Sequence, residues 1–262
     1  MKTLIILISL IFSTCSPKSG HPGNSDRTPI GVDAPPAPTR PPIDTDASRK
    51  GFIHLRKVQQ RAEETLRARN VESRAYPGES LADVYRKHLS GMTVTTTVIE
   101  HVGMPNKKRK ETPETVIRQV LEKIGREGSR AYATSTSYAG ARGNGQLMRS
   151  TYLYLRNLYP NARLNPSFQI GASDEVNAAM ATMLHYDATL AALTEQQRND
   201  LRRRPELMRE YVVAAYNGSG KAKKALESGN MTRLDRRRLA PSTTGYLKKY
   251  TMSETHLGAV GV

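Results

Sequence analysis

One acidic residue, Glu127, precedes a glycine-rich polar run, Ser137-Tyr138-Ala139-Gly140-Ala141-Arg142-Gly143-Asn144-Gly145-Gln146-Leu147-Met148. A later segment, Ala214-Ala215-Tyr216-Asn217-Gly218-Ser219-Gly220, adds an aromatic and an amide at a second helix end. A carboxylate that closes an apolar helix face loses part of its hydration, and lost hydration favours the neutral acid. A glutamic acid still protonated near neutral pH can give its proton to a leaving oxygen, as glycosidic cleavage requires. Around it, Gln146 and Asn217 offer amides for N-acetyl and hydroxyl groups, or for buried backbone. Gly140, Gly143 and Gly145 let backbone come close to a ligand, or simply make a turn. Tyr216 and Tyr246 either line a cleft or belong to the core. Met148 and His185 read as packing residues.

These residues need helices to hold them. Thr112 is a good N-cap, with Pro113 at the first helical position and Glu114 in the first turn. Ile117, Val120, Leu121 and Ile124 then form one apolar face, Glu127 continues it, and Gly128 supplies a stop. Asp174 to Leu193 carries Val176, Met180, Met183, Leu184 and Leu190 at helical spacing. Pro205 opens another helix, whose stripe of Leu207, Met208, Tyr211, Val212 and Ala215 leads to Asn217. Upstream, Leu55, Val58, Ala62 and Leu66 recur at helical spacing, and Ser80 caps a short helix with Leu81, Val84, Tyr85 and Leu89. Thr93 to Ile99 is almost all β-branched and reads as a strand. The zone 49–110 shows no catalytic constellation and reads as an accessory segment. Little strand signal follows residue 110, so the expected fold is mainly α.

The chain has 262 residues and a net charge of +16, which points to a polyanion or an anionic surface as partner. Nucleic acid and bacterial wall polymer are the two candidates. The N-terminus chooses between compartments. Met1-Lys2 is followed by a short apolar run, Leu4 to Phe12, too short for a bilayer span of ~20 residues but suited to a secretory signal. The single cysteine, Cys15, stands where a bacterial lipoprotein carries its lipid, or is incidental to a plain signal peptide. Export weakens the nucleic-acid reading. Residues 1–14 therefore read as signal peptide and 15–48 as a proline-rich tether. The main domain spans 111–250, with a tail at 251–262. No Cys/His cluster has metal-ligand spacing, so neither metal nor cofactor is implied.

The ordered motifs resemble the lytic transglycosylases, enzymes of lysozyme-like fold that cut bacterial peptidoglycan. Glu127 fits the family's acid, and Ser137 the serine before its Gly-Ala-x-Gly turn, here Gly140 to Gly143. Gln146-Leu147-Met148 fits the Q-x-M core and Thr151 the closing threonine. Ala215-Tyr216-Asn217-Gly218 is similar to the family's A-Y-N-A-G segment. Asp174-Glu175-Val176-Asn177 stands at its D-P-x-x-N helix start, and Pro241 to Tyr246 at its late tyrosine motif. The spacing from Glu127 to Gly140 is one residue longer than the common pattern, and Glu122 is the second choice of acid. Gly128, Asn144, Gly145, Arg149 and Ser242 depart from the family residues.

The resemblance implies a lysozyme-like catalytic domain and one glutamate serving as both acid and base. The bond cut joins N-acetylmuramic acid to N-acetylglucosamine, and the product carries a 1,6-anhydromuramoyl end. It also implies that Ser137, Gly143, Gln146, Met148, Tyr216, Asn217 and Tyr246 bind glycan. No cofactor is expected, and the partner is peptidoglycan rather than nucleic acid. The location is the cell envelope, lipid-anchored through Cys15 to the outer membrane. A hydrolytic muramidase and a wall-binding scaffold without turnover are the alternatives.

Overall fold

The computed structural model describes residues 43–258; the signal segment, Cys15 and most of the tether lie outside them. The fold is mainly α. The helices are α1 (Asp46–Ala68), α2 (Leu81–His88), α3 (Met92–His101), α4 (Pro113–Glu127), α5 (Arg149–Leu158), α6 (Phe168–Ser173), α7 (Glu175–Ala191), α8 (Glu195–Arg202), α9 (Pro205–Ser228) and α10 (Pro241–Gly258). Among the described residues, β-structure is limited to isolated bridges, two of which, Thr136 with Arg142 and Arg142 with Leu147, fold the glycine-rich run on itself. No described helix is long and apolar enough to cross a membrane.

Local chemistry sets most helix starts. The Thr112 hydroxyl accepts from Thr115 N–H at 3.3 Å, and the Asp174 carboxylate accepts from Asn177 N–H at 2.7 Å. Thr45 and Ser48 form a reciprocal capping box at the start of α1, inside the stretch expected to be tether. Gly128 ends α4 with a positive φ of 57°, as expected of a glycine stop. At the other end of the chain, α10 runs through residues expected to be tail.

Residues 49–110 pack into the same body as the rest. α1 lies along α4, and cross-links at nearly constant spacing show that the two helices run parallel. Arg118 pairs with Asp44 at 3.1 Å, and the Thr45 hydroxyl donates to Glu122 at 3.0 Å. Further along, Gly51 and Gly125 face each other. A Cβ on Gly51 would come 1.9 Å from the Leu121 carbonyl oxygen, and one on Gly125 would come 1.8 Å from that of Ala47. Only two glycines allow backbone to approach backbone this closely.

The expected strand at Thr93–Ile99 is α3 instead. Every residue from Met92 to Ile99 is buried, so no polar face gives the helix away. Its threonines are satisfied by tertiary partners. Tyr85 shares a 2.5 Å hydroxyl bond with Thr93, Tyr186 bonds Thr96, and the Thr97 hydroxyl donates to the Thr93 carbonyl at 3.1 Å. Burial and these bonds outweigh the strand preference of β-branched side chains. α3 is also the seam of the core. Met92 and Ile99 belong to the larger apolar cluster, with α2, α5, α7 and α9, whereas Val94 and Val98 join the smaller one around α4.

Candidate functional site

The seam helix carries an acid in its last turn. Glu100 follows eight buried residues of α3 and is itself half-buried. The Tyr246 hydroxyl, from α10, donates to its carboxylate at 2.7 Å. Burial pushes the Glu100 carboxyl up to about 7, against the opposing effects of the Tyr246 bond and of the Lys249 ammonium. Lys249 donates to the Ile99 carbonyl at 3.4 Å, and burial lowers its own pKa. The groups acting on Glu100 are thus a phenol and a cation, neither of them a second carboxylate.

Behind this pair stands a tyrosine stack. The Tyr216 and Tyr246 rings lie 6.4 Å apart and nearly parallel, at 7°. Tyr216, from the middle of α9, donates through its hydroxyl to the Gly145 carbonyl at 2.6 Å. The pKa of each phenol is raised, first by burial and then by the Glu100 charge, so both remain donors. His185 closes the back of the stack, with its ring 4.8 Å from that of Tyr216 and its Nδ1 buried without a partner. Burial holds that imidazole down to about 4, so it packs as a neutral ring.

The glycine-rich run is shaped by protein contacts. Gly143 has φ of 75°, and a Cβ there would sit 1.7 Å from the Ala172 carbonyl oxygen. A Cβ on Gly145 would meet the Thr182 hydroxyl at 2.8 Å and that of Tyr216 at 3.2 Å. Close approach at these two glycines therefore serves α6, α7 and α9, whereas Gly140 has open space around it. Gln146 turns its amide inward, donating to Gly143 at 2.9 Å and to Ser135 at 3.3 Å. It staples its own loop. Ser137 does the same at the exposed tip, accepting from Ala141 N–H at 3.0 Å, and Met148 is a half-buried N-cap of α5. Asn217 is exposed just before α9 breaks at Gly218, and it accepts from the Thr243 hydroxyl at 3.3 Å.

Glu127 lies elsewhere. It continues the stripe of Val116 and Val120, but at this last turn the stripe faces an open groove of about 530 Å³ instead of the core. Its side chain is exposed, not packed at the end of an apolar face as the sequence reading expected. Glu122, the second choice, is engaged by Thr45 and Arg126. Of the expected site residues, the structure gathers Tyr216, Tyr246 and the Gly143–Gln146 loop around Glu100. Neither Glu127 nor Ser137 has a described contact with that cluster.

Sequence reasoning missed Glu100, its neighbour His101, Thr182 and Lys249. One signal was present: Glu100 follows eleven uncharged residues, Leu89 to Ile99. Among the described residues, no group of His, Cys, Asp and Glu is arranged to hold a metal ion. No family model matches the chain, and neither a curated protein nor a solved structure matches it.

Proposed function

We propose that the chain is a peptidoglycan lytic transglycosylase of lysozyme-like fold, with Glu100 rather than Glu127 as its acid and base. One observation carries the reading: Tyr246 bonds the Glu100 carboxyl and Tyr216 stacks behind it, the two coming from separate motifs that resemble that family, and burial pushes that carboxyl up to about 7. An acid with a pKa near the working pH is protonated often enough to donate and ionised often enough to take a proton back.

In the reaction, Glu100 protonates the glycosidic oxygen between N-acetylmuramic acid and N-acetylglucosamine, and the bond to C1 breaks. The carboxylate left behind removes the proton of the muramoyl C6 hydroxyl, whose oxygen closes onto C1. The proton lent is recovered and no water is consumed. Tyr246 holds the carboxyl through its 2.7 Å bond, and Lys249 offsets the negative charge between the two steps. A one-carboxylate cycle suits a site whose nearest titrating groups are a phenol and a lysine. A retaining or inverting hydrolase uses a second carboxylate as nucleophile or base.

The test is product analysis on purified sacculi. The wild-type chain releases muropeptides with anhydro ends, and Glu100→Gln lowers the rate by about a hundred- to ten-thousandfold, the range for a general acid. Glu127→Gln loses far less than Glu100→Gln. Reducing ends instead of anhydro ends would make the enzyme a hydrolase, and full activity in Glu100→Gln would remove Glu100 from the chemistry.

A further inference from the structure

The groove that Glu127 faces starts at His101, the residue after the proposed acid. Its walls include Met104, Glu111, Lys123, Glu127 and Tyr132, with Arg126 at the rim. Two carboxylates and two cations in one groove suit a ligand that carries both signs of charge. The charges are available. Glu127 makes no ion pair among the described residues, and Arg126 has only a 3.5 Å contact with Glu122 at 61% exposure. Lys123 places its ammonium 4.6 Å from the centre of the Tyr132 ring, whose other neighbour is the His101 imidazole, stacked at 3.7 Å. The His101 Nε2 is buried with no hydrogen-bond partner. Met104 adds an apolar surface, 55% exposed.

A glycan strand itself offers little charge, because the muramoyl carboxyl is consumed in the amide link to its peptide. The free carboxylates and amines of peptidoglycan lie on that stem peptide. We propose that this groove binds the stem peptide, so that the chain selects peptide-bearing strands over bare glycan. The inference rests on the substrate class assigned above. It is supported by the adjacency of groove and acid: His101, which lines the groove, directly follows Glu100 in α3. The stem's carboxylates pair with Lys123 and Arg126, and its free amine with Glu127 and Glu111.

Calorimetric titration with a disaccharide tetrapeptide and with the peptide-free disaccharide tests this without turnover. The peptide-bearing ligand should bind at least about tenfold more tightly. Lys123→Glu and Glu127→Lys should each abolish the difference, while Lys123→Arg keeps it, which separates charge recognition from damage to the fold. Equal binding of the two ligands, binding of neither, or a difference that survives both charge reversals would overturn the proposal. So would weaker binding in Lys123→Glu with stronger binding in Glu127→Lys, the signature of an anionic polymer. Groove-dependent peptide binding by a chain that releases no muropeptide would leave this inference standing and remove the catalytic reading alone.

Discussion

α3 and α4 each carry a glutamate in the last turn, and the two ends differ in what stands beyond it. α4 is amphipathic and is held to α1 along one face, by the Gly51–Gly125 contact, so its final turn reaches past the core into a groove. α3 is buried on every side, and its final turn is met by Tyr246 and Lys249. The same residue type in the last turn of a helix is therefore exposed in one place and a carboxyl pushed up to about 7 in the other. Desolvation comes from the packing around a helix terminus, and the helix's own pattern does not encode it.

The largest effect separating the two helices concerns their mounting. In Gly125→Val the added Cβ would meet the Ala47 carbonyl oxygen at 1.8 Å, and backbone on both sides leaves no flexible atom to yield. We expect a loss of about 3 kcal/mol, the upper part of the range for overpacking, measured by urea unfolding. The Glu100 titration should persist in whatever fraction stays folded, since the Tyr246 bond to Glu100 joins α10 to α3 and does not pass through that contact. An unchanged unfolding midpoint would show that α1 and α4 are not pressed together at these glycines.

An effect of similar size is electrostatic. The folded pKa of Glu100, about 7, lies above the ordinary glutamate value of 4.5. Below about pH 4.5 both folded and unfolded chains hold the proton, and the contribution of this group to stability is complete. As pH rises towards 7, the unfolded chain ionises first, so stability is lost through that window and then levels off. The gap corresponds to about 3 kcal/mol. Comparing wild type with Glu100→Gln should therefore show the variant gaining relative stability from pH 4.5 to 7 and holding the gain above it. A difference that is flat across the window would place the carboxyl in water.

Tyr246→Phe sharpens the same point. The Tyr246 hydrogen bond favours the ionised carboxylate, so removing it raises the Glu100 pKa above about 7 and moves the upper end of the window with it. The accompanying loss of stability should be about 1 kcal/mol, typical of one hydrogen bond. A carbon-13 NMR titration of the Glu100 carboxyl reads the shift directly, and a fall in pKa would reverse the assigned role of Tyr246.

These two helices also show how far the sequence could be read. Helices with a polar face were legible: α1, α2, α4 and the first part of α9 follow from periodicity and caps. α3 was not, because burial on all sides removes the periodic signal and leaves only threonines and valines, whose intrinsic preference points to a strand. The misreading hid Glu100 as well, since it then followed a strand in a segment taken as accessory. Tyr216 and Tyr246 were found through the resemblance, and their convergence on Glu100 depends on α3, α9 and α10 meeting in space, a relation across 146 residues of sequence. The amide of Gln146 was visible as a residue but not as a staple. Whether an amide faces a ligand or its own loop depends on the turn, here one in which Gln146 itself adopts a φ of 44°.

The smallest expected effect is the control on the whole comparison. Glu127→Gln removes one charge from an exposed side chain that makes no ion pair among the described residues. Surface substitutions of this kind stay within about 0.5 kcal/mol. Its one marked electrostatic neighbour is Tyr132, whose pKa is raised to about 12, chiefly by burial and then by the Glu127 charge. The variant should thus unfold at the wild-type midpoint at every pH from 4.5 to 8, while the Tyr132 phenol titrates at a lower pH in ultraviolet difference spectra. A stability change that appears only near neutrality would mean that Glu127 shares the desolvation assigned to Glu100 alone. The contrast between the two helix ends would then be one of degree, and the choice of acid would return to the turnover of the two glutamine variants.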